Sequence, residues 1–327
     1  MKQCLKRRPL WTLLILMLCS GWAFASDLDP SARSELHRSF TLTHEGRARH
    51  YEVQLPSETA AGPMPVILAI HGATGSLETY RKVANLEPLA HREGVLVVYP
   101  QGNRRGNVLL WNAGACCLPD LNPPDDVGFI LRVLDDVAQH FTIDPRRVYA
   151  VGMSNGAMMT YRLATEAPER FAAVATVAGP MALRHFKPRA PISIMHIQSV
   201  DDPILPFGGR RFLPVPLPSG LKTIQRWVQY AHCPSEPVTE TVRHAPPGEP
   251  RSWQATRKHW TPCDDGTEIV LWKLEGAGHV WPGGYQPPHL RTLAGEEYDV
   301  IDASREIWQF FKRHHRSAAS SPGVFES

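Results

Sequence analysis

The segment RVYAVGMSNGAMMTYRLA, residues 147–164, joins a short apolar run to a helix-forming run through a glycine-flanked turn. The apolar run at 147–152 predicts a buried strand, and residues 155–167 predict a helix. Between them, GMSNG at 152–156 has the G-x-S-x-G pattern of a nucleophile elbow, a strained turn that exposes a serine at a helix N-terminus. Both glycines are needed because a Cβ there would meet the neighbouring strand or helix. The alternative is an ordinary strand–helix turn with Ser154 as a capping serine.

Apolar patterning predicts that strands and helices alternate along the rest of the chain. Uninterrupted apolar runs predict strands buried on both faces, and Pro88 is expected to kink or shorten one helix. Because no repeat or boundary interrupts the alternation, we expect one α/β domain whose mostly parallel sheet carries helices on both faces. The predicted strands are 51–55, 65–71, 95–99, 147–152, 171–178, 191–197, 252–260 and 268–274, the predicted helices are 79–92, 126–141, 155–167, 222–231 and 305–314, and 100–124 and 203–220 are predicted loops.

The composition is that of a globular protein large enough to bury a substantial core. Of the 327 residues, 43% are hydrophobic and 20% are charged, which excludes disordered, collagen-like and small disulfide-rich chains. The formal net charge of +3 includes four cations and no acid in the first 25 residues, so the remainder carries −1. Such a near-neutral chain gives no electrostatic reason to expect nucleic acid or an anionic membrane as a partner.

The first 25 residues have the features of an export signal. Basic residues precede an apolar run at 10–19, and Ala23 and Ala25 form a small-x-small cleavage pattern. The run is too short to span a bilayer comfortably, and the bulky Leu18 disfavours a lipoprotein site at Cys19. Cleavage after Ala25 therefore predicts a secreted or periplasmic protein. Its expected parts are a loose N-terminal segment (26–48), a main domain (49–314) and a disordered polar tail (315–327).

Four cysteines remain after such cleavage, namely Cys116, Cys117, Cys233 and Cys263. An even count in an oxidising compartment favours disulfides. Cys233–Cys263 is the natural pair, because other pairings leave Cys116 and Cys117 each crossing to a separate partner. The adjacent cysteines would then form a vicinal bridge or remain as two thiols. No paired Cys/His spacing indicates a metal site, so no metal is expected.

A serine nucleophile needs a histidine base and an acid that orients the base. In the architecture of a nucleophile elbow, the acid and then the histidine follow the serine, each on a loop after a strand. Asp201 and Asp202 follow the predicted strand 191–197, so either can supply the carboxylate. After the run IVLWKL at 269–274, His279 stands in a glycine-rich turn. Of the fifteen histidines, His279 combines this chain order with local flexibility.

Two main-chain amides are expected to stabilise the negative charge that an attacking serine generates. One belongs to Asn155, the residue after the serine. The other comes from the loop HGATG at 71–75, where Ala73 is the preferred donor and Thr74 the alternative. His71 precedes the glycine of this loop and is interpreted as orienting it.

Several motifs together resemble those of one known family. They are HGATG (71–75), WNAGACC (111–117), DDVGFI (125–130), GMSNG (152–156), SVDDP (199–203) and GHVWPGG (278–284). In this order they resemble the secreted polyhydroxybutyrate-depolymerase/feruloyl-esterase-like α/β-hydrolases, which are allied to carbohydrate esterase family 1. The resemblance covers about residues 40–312. It implies an α/β-hydrolase fold with Ser154 as nucleophile, His279 as base and Asp202 as acid, and no metal or organic cofactor.

The resemblance predicts a serine carboxylic-ester hydrolase that acts through an acyl-enzyme. The expected partner is a small or oligomeric ester, either a polyester oligomer or a hydroxycinnamoyl ester such as a feruloyl ester. Trp111 and Trp281 are candidate walls of an apolar cleft for such a substrate, although Trp281 could equally be a core residue. An acyltransferase or a serine peptidase on the same fold is the alternative function. A non-enzymatic binding protein is disfavoured because all three triad residues are present.

Overall fold

Ten strands of the described residues form one sheet at the centre of the structure, which is a computed structural model. The structure describes residues 36–57, 62–117, 122–212, 215–244 and 253–316, and these belong to one compact unit. The expected export signal lies outside the described residues, as does the expected disordered tail from residue 317 onward. Within the described ranges, no helix is long and apolar enough to cross a bilayer.

The strands and helices take the following bounds. The strands are β1 His37–His44, β2 Arg47–Gln54, β3 Met64–Ile70, β4 Leu96–Pro100, β5 Asn103–Arg105, β6 Val108–Leu110, β7 Ile143–Met153, β8 Ala173–Val177, β9 Ser193–Ser199, β10 Arg210–Phe212, β11 Val215–Leu217, β12 Val238–His244, β13 Trp253–Trp260 and β14 Ile269–Glu275. The α-helices are α1 Leu77–Ala84, α2 Glu87–Glu93, α3 Asp126–His140, α4 Asn155–Glu166, α5 Gly220–Tyr230, α6 Arg291–Ala294 and α7 Ala303–Phe311.

The sheet is parallel in its middle and antiparallel at both margins. Its order is β1-β2-β4-β3-β7-β8-β9-β14-β13-β12. The strands from β4 to β14 in this order pair in parallel, whereas β1, β2, β13 and β12 pair antiparallel. The predicted mostly parallel α/β sheet is confirmed. Its parallel strands bring the loops that follow them to one edge of the sheet.

Side chains of the buried strand β3 alternate between two hydrophobic clusters, one on each face of the sheet. Leu68 belongs to the cluster that contains residues of α3, α4 and α5. Ile67 and Ala69 belong to the cluster that contains residues of α1, α2 and α7. Helices therefore cover both faces, as the continuous apolar run of this strand predicts.

The expectation of a loose segment at 26–48 is wrong for its second half. Residues 37–44 form β1, which pairs antiparallel with β2 along its whole length. Leu42 is buried, and the ring of Phe40 stacks on that of Tyr51 at a centroid distance of 5.0 Å. The apolar alternation of β1 is weak in the sequence, because an edge strand buries only part of one face.

The single helix predicted at 79–92 is two helices. The first, α1, ends at Ala84 and is capped by Asn85, which has a left-handed conformation with φ 46°. Pro88 then lies in the first turn of α2. Proline is tolerated at this position because the amide it lacks has no partner within the helix. Pro88 therefore belongs to the start of a new helix, not to a kink.

Short strands also occur within both predicted loops and at one edge of the sheet. The β5–β6 hairpin lies within 100–124, and β10–β11 lies within 203–220. The edge strand β12 was not predicted, and all seven of its residues are exposed. Its polar sequence VTETVRH gives no apolar alternation, and in the sheet it pairs with β13.

Both cysteine pairs are disulfide-bonded in the structure. Cys233, after α5, is joined to Cys263, after β13, at an S–S distance of 1.98 Å. Cys116 is joined to its neighbour Cys117. Of the two alternatives for the adjacent cysteines, the structure has the vicinal bridge.

Candidate active site

Ser154 lies in a turn that few residues other than glycine adopt. It connects β7 to α4 with φ 56° and ψ −121°. Its amide donates to the Val177 carbonyl at 2.9 Å, and its own carbonyl accepts from Met158 at 3.1 Å. The side chain makes no capping hydrogen bond to the helix. Ser154 is therefore not an ordinary capping serine, and its strained backbone is typical of a functional turn.

Close backbone contacts explain the glycines around Ser154. A Cβ on Gly152 would clash with the carbonyl of Gly156, and a Cβ on Gly156 would clash with the carbonyl of Ile70 at the end of β3. A Cβ on Gly72 would stand 3.0 Å from the Ser154 Cβ. The elbow and the loop after β3, which carry the two expected amide donors, are therefore in direct contact.

His279 and Asp202 form a buried hydrogen-bonded pair. The His279 Nδ1 lies 2.7 Å from the Asp202 Oδ2, and the two residues are 8% and 2% exposed. The other carboxylate oxygen of Asp202 accepts from the amides of Ile204 and Leu205, each at 2.8 Å. With Nδ1–H donating to the carboxylate, His279 keeps Nε2 as a proton acceptor. The carboxylate is fixed on both sides, so it holds the imidazole in one tautomer.

Asp201 has a different position from its neighbour. It is exposed, and its carboxylate accepts from the Gly276 amide at 2.7 Å. This hydrogen bond ties the loop after β9 to the loop that carries His279. Of the two carboxylates left open by the sequence, Asp202 contacts the histidine and Asp201 does not.

The loop after β3 leaves one of its two candidate amide donors available. The Thr74 amide donates to the Leu109 carbonyl at 3.4 Å, and the Leu109 amide donates back at 2.7 Å. Thr74 is thus engaged with the β5–β6 hairpin. The geometry favours Ala73 as the second donor beside Asn155.

His71 is a structural histidine that holds this loop. It is fully buried, its Nδ1 lies 2.6 Å from the Gly72 carbonyl, and its Nε2 accepts from the Gly102 amide at 2.9 Å. Burial lowers the pKa of His71 to about 4, so the ring is neutral and donates only through Nδ1. This arrangement agrees with the interpretation that His71 orients the loop.

Trp111 and Trp281, the candidate walls of an apolar cleft, are both buried; for Trp281 the structure has the alternative of a core residue. Trp111 is 0% exposed and Trp281 is 2% exposed. The Trp111 indole donates to the His71 carbonyl at 2.9 Å, and the Trp281 indole donates to the Ser304 hydroxyl at 3.0 Å. A buried indole usually has such a partner, and both rings find theirs within the protein. The two tryptophans are core residues behind the site.

The side chain of Asn155 has a role that sequence reasoning missed. Its Oδ1 accepts from the Trp111 amide at 2.7 Å, and its Nδ2 donates to the Trp111 carbonyl at 3.2 Å. The same Nδ2 lies 3.5 Å from the Cys117 sulfur. Asn155 therefore fixes the loop that contains the vicinal disulfide against the elbow. The available sequence signal is an asparagine at the start of a predicted helix. Where such a residue is buried, its side-chain amide must find hydrogen-bond partners.

A buried polar chain, also missed, supports the loop that carries Asp202. His196 Nδ1 lies 2.8 Å from the Thr176 hydroxyl and 2.9 Å from the Tyr161 hydroxyl, and its Nε2 lies 2.9 Å from the Gln198 Oε1. Gln198 Nε2 donates to the Leu205 carbonyl at 2.7 Å. Burial lowers the pKa of His196 to about 4, so a neutral histidine completes this chain.

Within the described residues, no group of three or more histidine, cysteine, aspartate or glutamate side chains could hold a metal ion. The arrangement contains a partly exposed serine in a strained turn and a histidine fixed by a carboxylate. These groups can together perform nucleophilic acyl transfer.

The sequence is similar to a known family and to curated proteins. Residues 49–207 match the family model described as Esterase PHB depolymerase. The putative esterase NocK of Nocardia uniformis subsp. tsuyamanensis is 33% identical over 281 residues, which cover 80% of this chain and 79% of that protein.

Two further relatives are longer proteins, of which this chain matches only a part. The bifunctional acetylxylan esterase/xylanase XynS20E of Neocallimastix patriciarum is 29% identical over 72% of this chain. Feruloyl esterase B of Piromyces equi is 23% identical over 70% of this chain. The chain spans 31% and 42% of the lengths of these two proteins.

Solved structures resemble the fold at low sequence identity. An acetyl xylan esterase from Aspergillus awamori has a TM-score of 0.52 at 17% identity, covering 74% of this chain and 94% of that chain. An S-formylglutathione hydrolase from Agrobacterium tumefaciens has a TM-score of 0.52 at 14% identity, covering 85% of this chain and 95% of that chain. At these identities the likeness concerns the fold alone.

Proposed function

Because the chain belongs to the polyhydroxybutyrate-depolymerase/feruloyl-esterase-like family of α/β-hydrolases, we propose that it cleaves its substrate through an acyl-enzyme formed on Ser154. The chain is a carboxylic ester hydrolase of the serine type. The observation that carries the proposed mechanism is the buried His279–Asp202 pair, at 2.7 Å, on loops that follow neighbouring parallel strands.

In the first half of the reaction, Ser154 Oγ attacks the ester carbon while His279 Nε2 takes the hydroxyl proton. Asp202 stabilises the imidazolium that forms. The carbonyl oxygen becomes an oxyanion, which accepts hydrogen bonds from the Asn155 and Ala73 amides. When the tetrahedral intermediate collapses, the C–O bond to the alcohol breaks and His279 returns the proton to the leaving oxygen.

In the second half, water attacks the Ser154 acyl ester and His279 takes a proton from it. Collapse of this second intermediate releases the carboxylic acid and restores the Ser154 hydroxyl with the proton from His279. Each half uses the same oxyanion donors. The fixed tautomer of His279 supports both proton transfers, because Nδ1 stays bonded to Asp202 throughout.

The proposed substrate is a polyester oligomer or a hydroxycinnamoyl ester. The family model is named for polyhydroxybutyrate depolymerase, and relatives are named acetylxylan and feruloyl esterases. We also propose that the protein is exported, because residues 1–25 have the pattern of a signal peptide and disulfides suit an oxidising compartment.

Initial rates on methyl ferulate and on a soluble 3-hydroxybutyrate oligomer test this proposal. We expect hydrolysis of at least one ester, and Ser154→Ala should lower kcat on the order of 10⁶-fold. A fluorophosphonate probe should label the wild type at Ser154, as located by mass spectrometry, and should not label the variant. Ser219→Ala, which removes a helix-capping serine outside the site, serves as the control. Activity retained by Ser154→Ala would overturn the assignment.

A further inference from the structure

A groove of about 200 Å³ lies between β2 and the segment that follows β4. Among the described residues its lining holds three arginines and no acidic side chain. It therefore presents positive charge on a chain whose net charge is close to neutral. The side chains that matter are those of Arg47, Arg49, His50, Gln101, Asn103 and Arg104.

At the base of the groove, the charge of Arg49 is neutralised by an ion pair with Asp126. Arg49 is buried, and its guanidinium lies 2.9 Å from a carboxylate oxygen of the fully buried Asp126. It also donates to the Gln101 carbonyl at 3.2 Å and lies 3.7 Å from the centre of the Phe129 ring. Asn103 donates to the same Asp126 oxygen at 2.8 Å. Arg49 is therefore committed to the fold.

The charge available to a ligand comes from the rim. Arg47 and Arg104 are both exposed. Arg104 donates to the Gly75 carbonyl at 3.5 Å, so the loop after β3 orients its guanidinium without neutralising it. A guanidinium offers several N–H donors in a fork that matches a carboxylate.

The groove adjoins the loop that supplies the proposed oxyanion donor. The Gly102 amide, on its wall, donates to His71 Nε2 at 2.9 Å, and His71 precedes the glycine that contacts Ser154. The β5–β6 hairpin, which carries Arg104, is bonded to Thr74 through Leu109. The groove wall and Ser154 thus both contact the loop that follows β3.

We propose that this groove binds a carboxylate group carried by the ester substrate, with Arg47 and Arg104 as its specificity-determining residues. The inference rests on the proposed function and deepens it. Two sources of the carboxylate fit the proposed substrates. One is the free acid end of a hydroxyacid oligomer, and the other is a uronic acid on an esterified carbohydrate.

The test compares two substrates that differ at one end, which is a carboxylate in one and an uncharged methyl ester in the other. These are the linear trimer of 3-hydroxybutyrate as the free acid and the same trimer as its methyl ester. The readout is the ratio of their kcat/KM values. The wild type should prefer the acid, and the double variant Arg47→Gln/Arg104→Gln should lower this ratio about tenfold. The preference should also weaken as salt screens the exposed charges.

The matched control is Arg226→Gln/Arg243→Gln, which removes the same charge from α5 and from the exposed edge strand β12. Its ratio should equal that of the wild type. An unchanged ratio in the groove variant, or an equal fall in the control, overturns the proposal. A second arm uses trigalacturonate, with maltotriose as the neutral comparison, as inhibitors of 4-nitrophenyl acetate hydrolysis. Inhibition by trigalacturonate that the groove variant loses identifies a uronic acid as the source.

Binding by an inactive protein separates this proposal from the proposed function. Ser154→Ala is titrated calorimetrically with both trimers, with and without the two arginine substitutions. Tighter binding of the acid that depends on the arginines supports the groove even where the wild type hydrolyses neither trimer. Equal affinities for the acid and the methyl ester overturn the proposed carboxylate binding, even where the wild type hydrolyses both trimers.

Discussion

The indole of Trp111 donates a hydrogen bond of 2.9 Å to the main-chain carbonyl of His71. The main chain of Trp111 is in turn bonded at both its amide and its carbonyl by the Asn155 side chain. One buried tryptophan thus joins the elbow to the loop after β3, and these two segments carry the proposed oxyanion donors. The spacing between the donors depends on this link as much as on the sheet.

We therefore expect Trp111→Phe to lower kcat roughly tenfold while KM changes little. The loss follows because a displaced donor weakens binding of the oxyanion more than binding of the neutral ester. Steady-state kinetics on a neutral ester measure both constants. Trp281→Phe is the control, since it removes an equally buried indole that bonds to Ser304 instead. Both variants lose a hydrogen bond of about 1 kcal/mol, so an equal fall in kcat would assign the effect to stability alone.

The two adjacent aspartates provide a matched pair of substitutions. Asp202→Asn should lower kcat on the order of 10⁴-fold, because an amide in place of the carboxylate favours the wrong tautomer of His279. Asp201→Asn should cost less than about tenfold, because the exposed Asp201 accepts only a loop amide at 2.7 Å. Pre-steady-state and steady-state rates on one ester measure both effects. Equal losses in the two variants would contradict the assignment of Asp202.

Two buried histidines predict how stability depends on pH. Burial lowers the pKa values of His71 and His196 to about 4, against a usual value of 6.5. The unfolded chain therefore binds protons that the folded chain excludes between these values. The stability that the neutral rings contribute is complete above pH 6.5 and is lost as the pH falls towards 4.

The expected slope is about 1.4 kcal/mol per pH unit for each histidine. Urea unfolding at several pH values within this window measures it. His196→Gln should reduce the slope by the contribution of one histidine, about 1.4 kcal/mol per pH unit. His185→Gln changes an exposed position and should leave the slope unchanged. A slope for His196→Gln equal to that of the wild type would contradict the explanation.

The central part of the fold could be predicted because its strands are buried on both faces. The continuous apolar runs of β3 and β4 specify a strand whatever the neighbours are. The edge strands β1 and β12 could not be predicted, because their pairing depends on a neighbour and not on their own pattern. The contact between His279 and Asp202 was expected for a similar reason, since both residues follow central strands.

The supporting residues of the site could not be predicted from the same signals. Trp111 lies in a loop rich in glycine and proline, where no periodicity distinguishes a buried ring from a cleft wall. Its burial follows from hydrogen bonds to His71 and Asn155, which are distant in sequence. Likewise, the choice between Ala73 and Thr74 depends on a bridge to Leu109 that only the folded chain forms.

Close packing at the elbow predicts that Gly156→Ala is strongly destabilising. A Cβ at this position would clash with the main-chain carbonyls of Ile70, the last residue of β3, and of His71, which follows it. We expect a loss of at least about 3 kcal/mol, or about 6 °C or more in Tm. Gly208→Ala is the control, because a Cβ there meets no atom within 4 Å. Thermal unfolding of both variants measures the difference. If Gly156→Ala is insoluble while Gly208→Ala is soluble, the conclusion is the same. Equal Tm values for the two variants would refute the prediction.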